Sequence, residues 1–326
     1  MNRRDVLFLG LGAVAAAARP AIAQAEYPDQ PIRLIVPRSA GGVLDVIGRS
    51  WADRVTARLG TVVVENRGGG GGITGTVAVA HAPADGYTLL LGSTGDLVLN
   101  PVLAPQAPYN ALKDFAPIGI LAISVASIIV HPSVPARNLK ELAEYARKNP
   151  GKLSYGSAGT GTMANLCGEL FKKLAGTPDI VHVPYKGAAA GYGDLVAGHI
   201  PIMASNVTGN MLEMHRAGQV RILAAATDHR LAGAPEIPTT AEAGFPELIA
   251  QLFVGVFAPA ATPKPILDRL VAVTRDAAQD KDFQQTLEAS AFEPLTDYGP
   301  EKTTQYLVDE LTRWTPILKG SGLQPL

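Results

Sequence analysis

PIRLIVPRSAGGVLDVIGRSWADRVTARLG, residues 31–60, holds one complete strand–turn–helix unit. Its first seven residues are a short apolar run fenced by Pro31 and Pro37, which marks a strand. Gly41 and Gly42 turn the chain. Val43, Ile47, Trp51, Val55 and Leu59 then recur every four residues, the buried stripe of an amphipathic helix that Gly60 stops. The pattern continues outward. Val62 to Val64 is a second strand, the glycine run Gly68 to Gly72 leads into a short helix reaching His81, and the turn Asp85-Gly86 precedes a third strand at Thr88 to Leu91. Strand, helix, strand, helix, strand is the order of an α/β unit with a parallel sheet.

An irregular stretch from Pro101 to Pro117 follows, and the pattern then restarts. Ile118 to Val130 is almost continuously apolar and reads as a strand that passes from one lobe to another. Asn138 caps a helix with Glu141 reaching back. Leu153 to Tyr155 is a strand, and a helix runs to Leu174 and ends at Gly176. Further strands are expected at Ile180–Val183, Ile200–Ala204, Ile222–Ala226 and Phe253–Phe257. The last precedes a helix with Leu267, Leu270, Val271 and Thr274 inward. Two α/β units, with the chain returning to the first after the second, predict two lobes and a cleft between them. The boundaries fall at residues 24–125 with 252–326 for one lobe and 126–251 for the other. Ligands in open α/β sheets settle outside the carboxyl ends of strands.

Composition narrows the class. Of 326 residues, 47% are hydrophobic and 17% charged, with net charge −1. No basic stripe favours nucleic acid, and no run after the first segment spans a bilayer. Residues 1–23 read as a secretory signal peptide: Arg3-Arg4, a weakly apolar stretch to Ala18, and an A-x-A site at Ala21/Ala23, with a second at Ala23/Ala25. The arginine pair fits a twin-arginine or a Sec leader. A mature chain beginning near Gln24 or Glu26, outside the cytoplasm, is expected. Cys167 is the sole cysteine, which excludes an intrachain disulfide and a cysteine metal cluster, and its apolar neighbours make it a buried structural thiol. No two of the six histidines share the four-residue spacing of paired helix ligands, so no metal and no cofactor are expected.

Nucleophile patterns are incomplete. Tyr155-Gly156-Ser157-Ala158-Gly159 and Leu91-Gly92-Ser93-Thr94-Gly95 each lack the first glycine of G-x-S-x-G. Gly68 to Gly72 ends in no Gly-Lys-Ser/Thr and follows the second strand, not the first. It reads as a turn where backbone packs closely or lines a cleft. Three strand-to-helix turns carry more: Arg38 to Asp45, Gly156 to Thr162, and Val183 to Ala188. Each combines glycines, hydroxyls and a helix amino terminus, where exposed N–H groups and the dipole favour an anion. Together they suit a small anionic ligand.

The chain resembles the extracytoplasmic binding proteins of tripartite tricarboxylate transporters, the Bug family. The resemblance runs through Tyr27-Pro28, residues 31–37, Ala40-Gly41-Gly42 with Asp45, Val64-Glu65-Asn66-Arg67, residues 84–90, 155–162, Val183-Pro184-Tyr185-Lys186-Gly187, and Ala258-Pro259 with Thr262-Pro263. It implies a type II periplasmic binding protein fold and no enzymatic activity. It also implies a monomer in the periplasm that binds a small organic carboxylate and meets two integral membrane transporter subunits. Carried over residue by residue, it implies ligand contacts at Ser39, Ala40, Gly41, Asp45, Ser157, Thr160, Thr162, Tyr185 and Gly187, with Ser93 and Asn206 as further candidates at strand ends. Relatives commonly carry Phe-Pro where this chain has Arg38-Ser39, and often an acidic residue in place of Ser205. Arg38 is therefore the position that sets this chain apart. It either covers apolar surface with its stem or takes a second acidic group of the ligand bidentately. A ligand-presenting subunit for a sensor kinase and an exported hydrolase using Ser157 or Ser93 are the competing readings.

Overall fold

The computed structural model describes residues 27–319, so the expected leader and the start of the mature chain lie outside the described residues. The quoted unit forms as read: β1 (Ile32–Val36), α1 (Val43–Leu59) with Leu44, Ile47, Trp51 and Val55 buried, and Gly60 as its stop. β2 (Val62–Asn66), α2 (Ile73–Ala80) and β3 (Thr88–Ser93) complete it, and β1 lies parallel to both β2 and β3.

The stretch expected to be irregular is partly helical. Gly95–Leu99 forms a wide helical turn that runs into α3 (Asn100–Leu103). Pro101 sits in the first turn of α3, where its missing N–H breaks no hydrogen bond, so it does not interrupt the helix.

β4 (Phe115–Val130) is the spine of the molecule. α4 (Leu139–Lys148), β5 (Ser154–Ser157), α5 (Met163–Ala175), β6 (Val181–Pro184), α6 (Ala188–Val196), β7 (Ile202–Asn206), α7 (Gly209–Arg216) and β8 (Arg221–Ala225) follow. β9 (Gln251–Pro259), α8 (Lys264–Ala278), α9 (Lys281–Ala289), β10 (Glu293–Pro294) and α10 (Pro300–Lys319) complete the order. At α4, Asn138 accepts from the Glu141 N–H, while the Glu141 carboxylate reaches the Arg137 N–H and the Asn138 amide.

From Phe115 to Val125, β4 pairs antiparallel with β9, and β9 pairs antiparallel with β3. From Ala126 to Val130 it pairs instead with β7 and β8. One half of the curled sheet thus runs β2-β1-β3-β9-β4. The other runs β8-β4-β7-β5-β6, with β5 parallel to β6 and β7. β4 belongs to both, which is why residues 118–130 are buried and read as unbroken apolar sequence. Its two polar residues in the crossing region are satisfied internally: Ser127 donates to the Ser205 carbonyl at 2.8 Å, and Asn206 donates to Ser124 at 3.1 Å. Cys167 is fully buried on α5, and burial pushes its thiol up to about 12. No helix among the described residues is long and apolar enough to cross a membrane.

Candidate functional site

The three turns singled out in the sequence leave the carboxyl ends of β1, β5 and β6, and the fold brings them together. The Ser39 hydroxyl donates across to the Lys186 carbonyl at 3.3 Å, and the Tyr185 N–H donates to the Ser157 carbonyl at 3.0 Å. The first turn therefore touches the third from the opposite half of the sheet, and the third leans on the second.

In the first turn, Ser39, Ala40 and Gly41 are exposed. Asp45 is buried, and its oxygens are taken by the Gly41 N–H at 2.9 Å, the Asn66 amide at 3.0 Å and Arg49 at 2.9 Å. Burial raises its carboxyl, but Arg49, the Gly41 N–H and Asn66 together bring it below the ordinary aspartate range. Asp45 thus shapes the loop that carries Ser39 to Gly41.

Arg38 folds back over the ends of β1 and β3. Its Nη1 donates to Asp96 at 2.7 Å and to the Pro37 carbonyl at 2.7 Å. Asp96 is wholly buried, and its second oxygen accepts from the Ser93 hydroxyl at 2.6 Å and the Ser93 N–H at 3.1 Å. Burial holds the Asp96 carboxyl above the ordinary aspartate range, and Arg38 and Ser93 pull it only part of the way back. Two glycines make room for this pair. A Cβ on Gly72 would lie 1.7 Å from Arg38 Nη1 and 2.2 Å from Asp96 Oδ1, and one on Gly95 would lie 2.8 Å from Arg38 Nη2. The last glycine of the run is thus the wall of an ion-pair cradle. Arg38 keeps 22% of its side chain exposed, so it neither lies on the surface nor presents its whole fork to the cleft.

The second turn carries no formal charge. Thr162 caps α5, accepting from the Asn165 N–H at 3.2 Å and donating to the Gly159 carbonyl at 2.7 Å. Ser157 has no exposed surface; its hydroxyl oxygen lies 3.2 Å from the Gly159 N–H, 3.1 Å from the Gly159 carbonyl and 2.8 Å from His182 Nε2. Among the described residues the Thr160 hydroxyl makes no hydrogen bond. In the third turn, the Tyr185 hydroxyl donates to Asp194 at 2.7 Å, and burial together with Asp194 pushes it up to about 12. Its ring lies against Gly156 and Gly191, while Gly187, at φ +128°, faces Ser39. Ser93 and Asn206 are engaged with Asp96 and Ser124.

The sequence reading passed over two members of this constellation. Asp96 is an acidic residue between the apolar stretches Leu89–Leu91 and Leu97–Leu99, which is itself a signal of a buried partner. His182 alternates with valines in β6 and lies under the Ser157 turn.

Glycine-rich strand-to-helix turns facing one another at the strand ends of a two-part α/β sheet define a two-lobed binding protein of the periplasmic type. The chain belongs to the tripartite tricarboxylate transporter family receptors, whose pattern it matches over residues 47–323. It is 37% identical over 295 residues, 90% of this chain and 86% of the other, to a protein from the tcbD–tcbE intergenic region of a Pseudomonas species. It is 34% identical over 312 residues (95% and 94% of the two chains) to BugT of Bordetella pertussis. Among solved structures, the periplasmic binding protein BugD superposes with a TM-score of 0.86 at 34% identity, covering 91% of this chain and 99% of that one. An R. palustris protein with adipate gives 0.85 at 31% identity (92% and 100%). MatC of Rhodopseudomonas palustris with bound malate gives 0.83 at 28% (90% and 100%). The fold is thus the periplasmic binding protein fold.

Proposed function

We propose that this chain is an exported solute-binding protein that closes its two lobes on a small organic carboxylate and delivers it, unchanged, to two integral membrane transporter subunits. The observation that carries the reading is the meeting of three glycine- and hydroxyl-bearing turns at the strand ends, one of them at the amino terminus of the 13-residue helix α5. Exposed N–H groups and the helix dipole hold a carboxylate there without a buried cation. Structures of relatives with malate and adipate support an organic acid. Ser39, Ala40 and Gly41 bound the ligand from one lobe; Ser157, Thr160, Thr162, Tyr185 and Gly187 frame it from the other. Asp45, Ser93 and Asn206 hold the frame.

Arg38 refines the ligand. Asp96 already offsets its charge, so the remaining guanidinium N–H groups read a hydrogen-bond acceptor at the far end of the ligand and do not require a second full negative charge. The lobe boundaries are proposed at 125/126 and 251/252, supported by the exchange of β4 partners at Val125–Ala126 and its last pairing with β9 at Gln251. We also propose that the protein is a periplasmic monomer whose mature chain begins near Gln24 or Glu26 and needs no cofactor.

A thermal-shift and calorimetric screen with malate, adipate, citrate and benzoate tests the reading. A bound acid raises the melting temperature by mass action and compacts the protein in small-angle scattering. Failure of every acid to bind would sink it, and steady conversion of a bound acid would replace the binding role with an enzymatic one.

A further inference from the structure

Among the described residues, His182 is the one histidine hydrogen-bonded to the Ser157–Thr162 turn. Its Nε2 lies 2.8 Å from Ser157 Oγ, its ring stacks on Tyr155 with centroids 4.8 Å apart, and its Nδ1 lies 3.4 Å from the Asn165 amide nitrogen. Asn165 is itself pinned: its oxygen accepts from the Gly161 N–H at 3.2 Å, and its amide donates to the Tyr155 hydroxyl at 2.8 Å. We infer that His182 is the positioning residue of the Ser157–Thr162 turn and takes up a proton when a carboxylate binds there, making ligand capture proton-linked. This rests on the carboxylate reading above.

Counting hydrogens fixes the resting state. Ser157 has one hydroxyl hydrogen and three polar neighbours. The Gly159 N–H occupies one lone pair. If His182 carries its proton on Nε2, it donates to the other lone pair, and Ser157 gives its hydrogen to the Gly159 carbonyl, so every group is satisfied. If Nε2 is bare, Ser157 turns its hydrogen to the ring, the Gly159 carbonyl keeps its donor from the Thr162 hydroxyl, and Nδ1–H is left facing the Asn165 amide nitrogen. A donor facing a donor is unfavourable, so the Asn165 amide, 3.4 Å from Nδ1, favours the Nε2–H tautomer with Nδ1 free of hydrogen. The same count separates this pair from a nucleophilic dyad. Ser157 is wholly buried under the turn, and no carboxylate among the described residues bonds His182 to orient it as a base.

A second proton goes from solvent to Nδ1. The titratable and charged groups facing the ring are Tyr155 on β5 and Glu169 and Lys172 on α5, the latter two paired at 2.9 Å. Burial lowers the imidazole below its ordinary range, Glu169 raises it and Lys172 lowers it, so the unliganded ring is neutral near pH 7. The Asn165 amide facing Nδ1 opposes protonation further. Negative charge on the turn is what this balance lacks. An opposite charge within about 4–6 Å raises such a group by roughly 1–3 units, so the bound acid draws the proton in. Affinity then rises as pH falls through the imidazole's value in the complex and levels off below its value in the free protein.

Calorimetry of the mature chain with malate, adipate and citrate, in buffers of unlike ionisation enthalpy near pH 6, reads the proton directly. Wild type is expected to take up a fraction of a proton and to bind roughly three- to tenfold tighter at pH 6 than at pH 8, as a shift of about one unit, the low end of that range, gives for one group. His182→Gln keeps a donor within reach of Ser157 but does not titrate. It should lose both the uptake and the tightening at low pH, whatever its affinity at pH 8, and the comparison cancels the acids' own titration. Equal uptake in both proteins, or binding to wild type with no uptake, overturns the proton link and leaves the carboxylate reading standing. Failure of all three acids to bind overturns both. Should His182→Gln not fold, NMR titration of the His182 ring in wild type decides: its midpoint must move up on adding the acid, and an unmoved midpoint refutes the link.

Discussion

The two sides of the cleft solve one problem in opposite ways. On the first, Arg38 brings a full charge to the strand ends, and the fold cancels it with the buried Asp96 in a cradle that only glycine permits. On the second, the Ser157–Thr162 turn has no formal charge and spends the Ser157 and Thr162 hydroxyls on its own geometry, leaving only the Thr160 hydroxyl without an internal partner among the described residues. A charged residue in a cleft is thus not automatically the ligand's partner, nor is a hydroxyl in a binding turn automatically a contact. Each must first be cleared of its internal obligations.

The largest effect should come from breaking the first side. Asp96→Ala strands Arg38 and two Ser93 donors, and urea denaturation should show a loss of about 3 kcal/mol. That is the low end for a buried pair, because Arg38 keeps some contact with water. Replacing both partners, Arg38→Met with Asp96→Leu, should restore most of it; no recovery would mean that the pair is not the source. Gly72→Ala attacks the same cradle through shape. Its φ of +101° and the 1.7 Å approach to Arg38 predict a loss of about 2 kcal/mol, from backbone strain and a displaced guanidinium. Unchanged stability would show that the cradle yields easily.

The second side is sharpened by two threonines. Thr162→Ala removes a helix cap and should cost about 1 kcal/mol of stability. Thr160→Ala breaks no internal bond, so it should leave the denaturation midpoint alone while weakening acid binding by about 1 kcal/mol in calorimetry. If both variants lose stability alike, the distinction between frame and contact fails. The smallest effect concerns Asp45. Because its carboxyl is held below the ordinary range in the folded state, its contribution is complete above about pH 4 and fades as pH falls through the folded value. Asp45→Asn should flatten that acid limb by less than about 1 kcal/mol, since Arg49 is half exposed. An identical acid profile would assign the loop's shape to other groups.

Much of this was legible in residue order. The four-residue stripe from Val43 to Leu59, the proline-bounded β1 and the unbroken apolar β4 all match their elements because local periodicity and burial agree there. Pro101 to Leu103 did not read as helical, since Pro101 opens a proline-rich stretch, yet it ends a helix that a wide turn leads into. The three turns were visible by composition. What could not be read was pairing across distance. Arg38 and Asp96 are 58 residues apart, and Ser157 and His182 are 25 apart, so sequence spacing says nothing of their contact. The glycine run showed that backbone comes close to something, and only the folded chain shows that it is a guanidinium.

The crossing of β4 has a mechanical consequence. A hinge made of loops would let two bodies swing freely, but here a single strand carries a hydrogen-bonded ladder through the junction, handing its partners from β9 to β7 and β8 within two residues. Such a joint behaves as a torsion bar. It resists sliding, because a one-residue slip would break the ladders to β7, β8 and β9 together and exchange side chains such as Ile128 and Ile129 between two differently packed buried faces. For the closure proposed above, such a joint confines the movement to one arc, so that a turn leaving its partner across the cleft would return to meet the same residues.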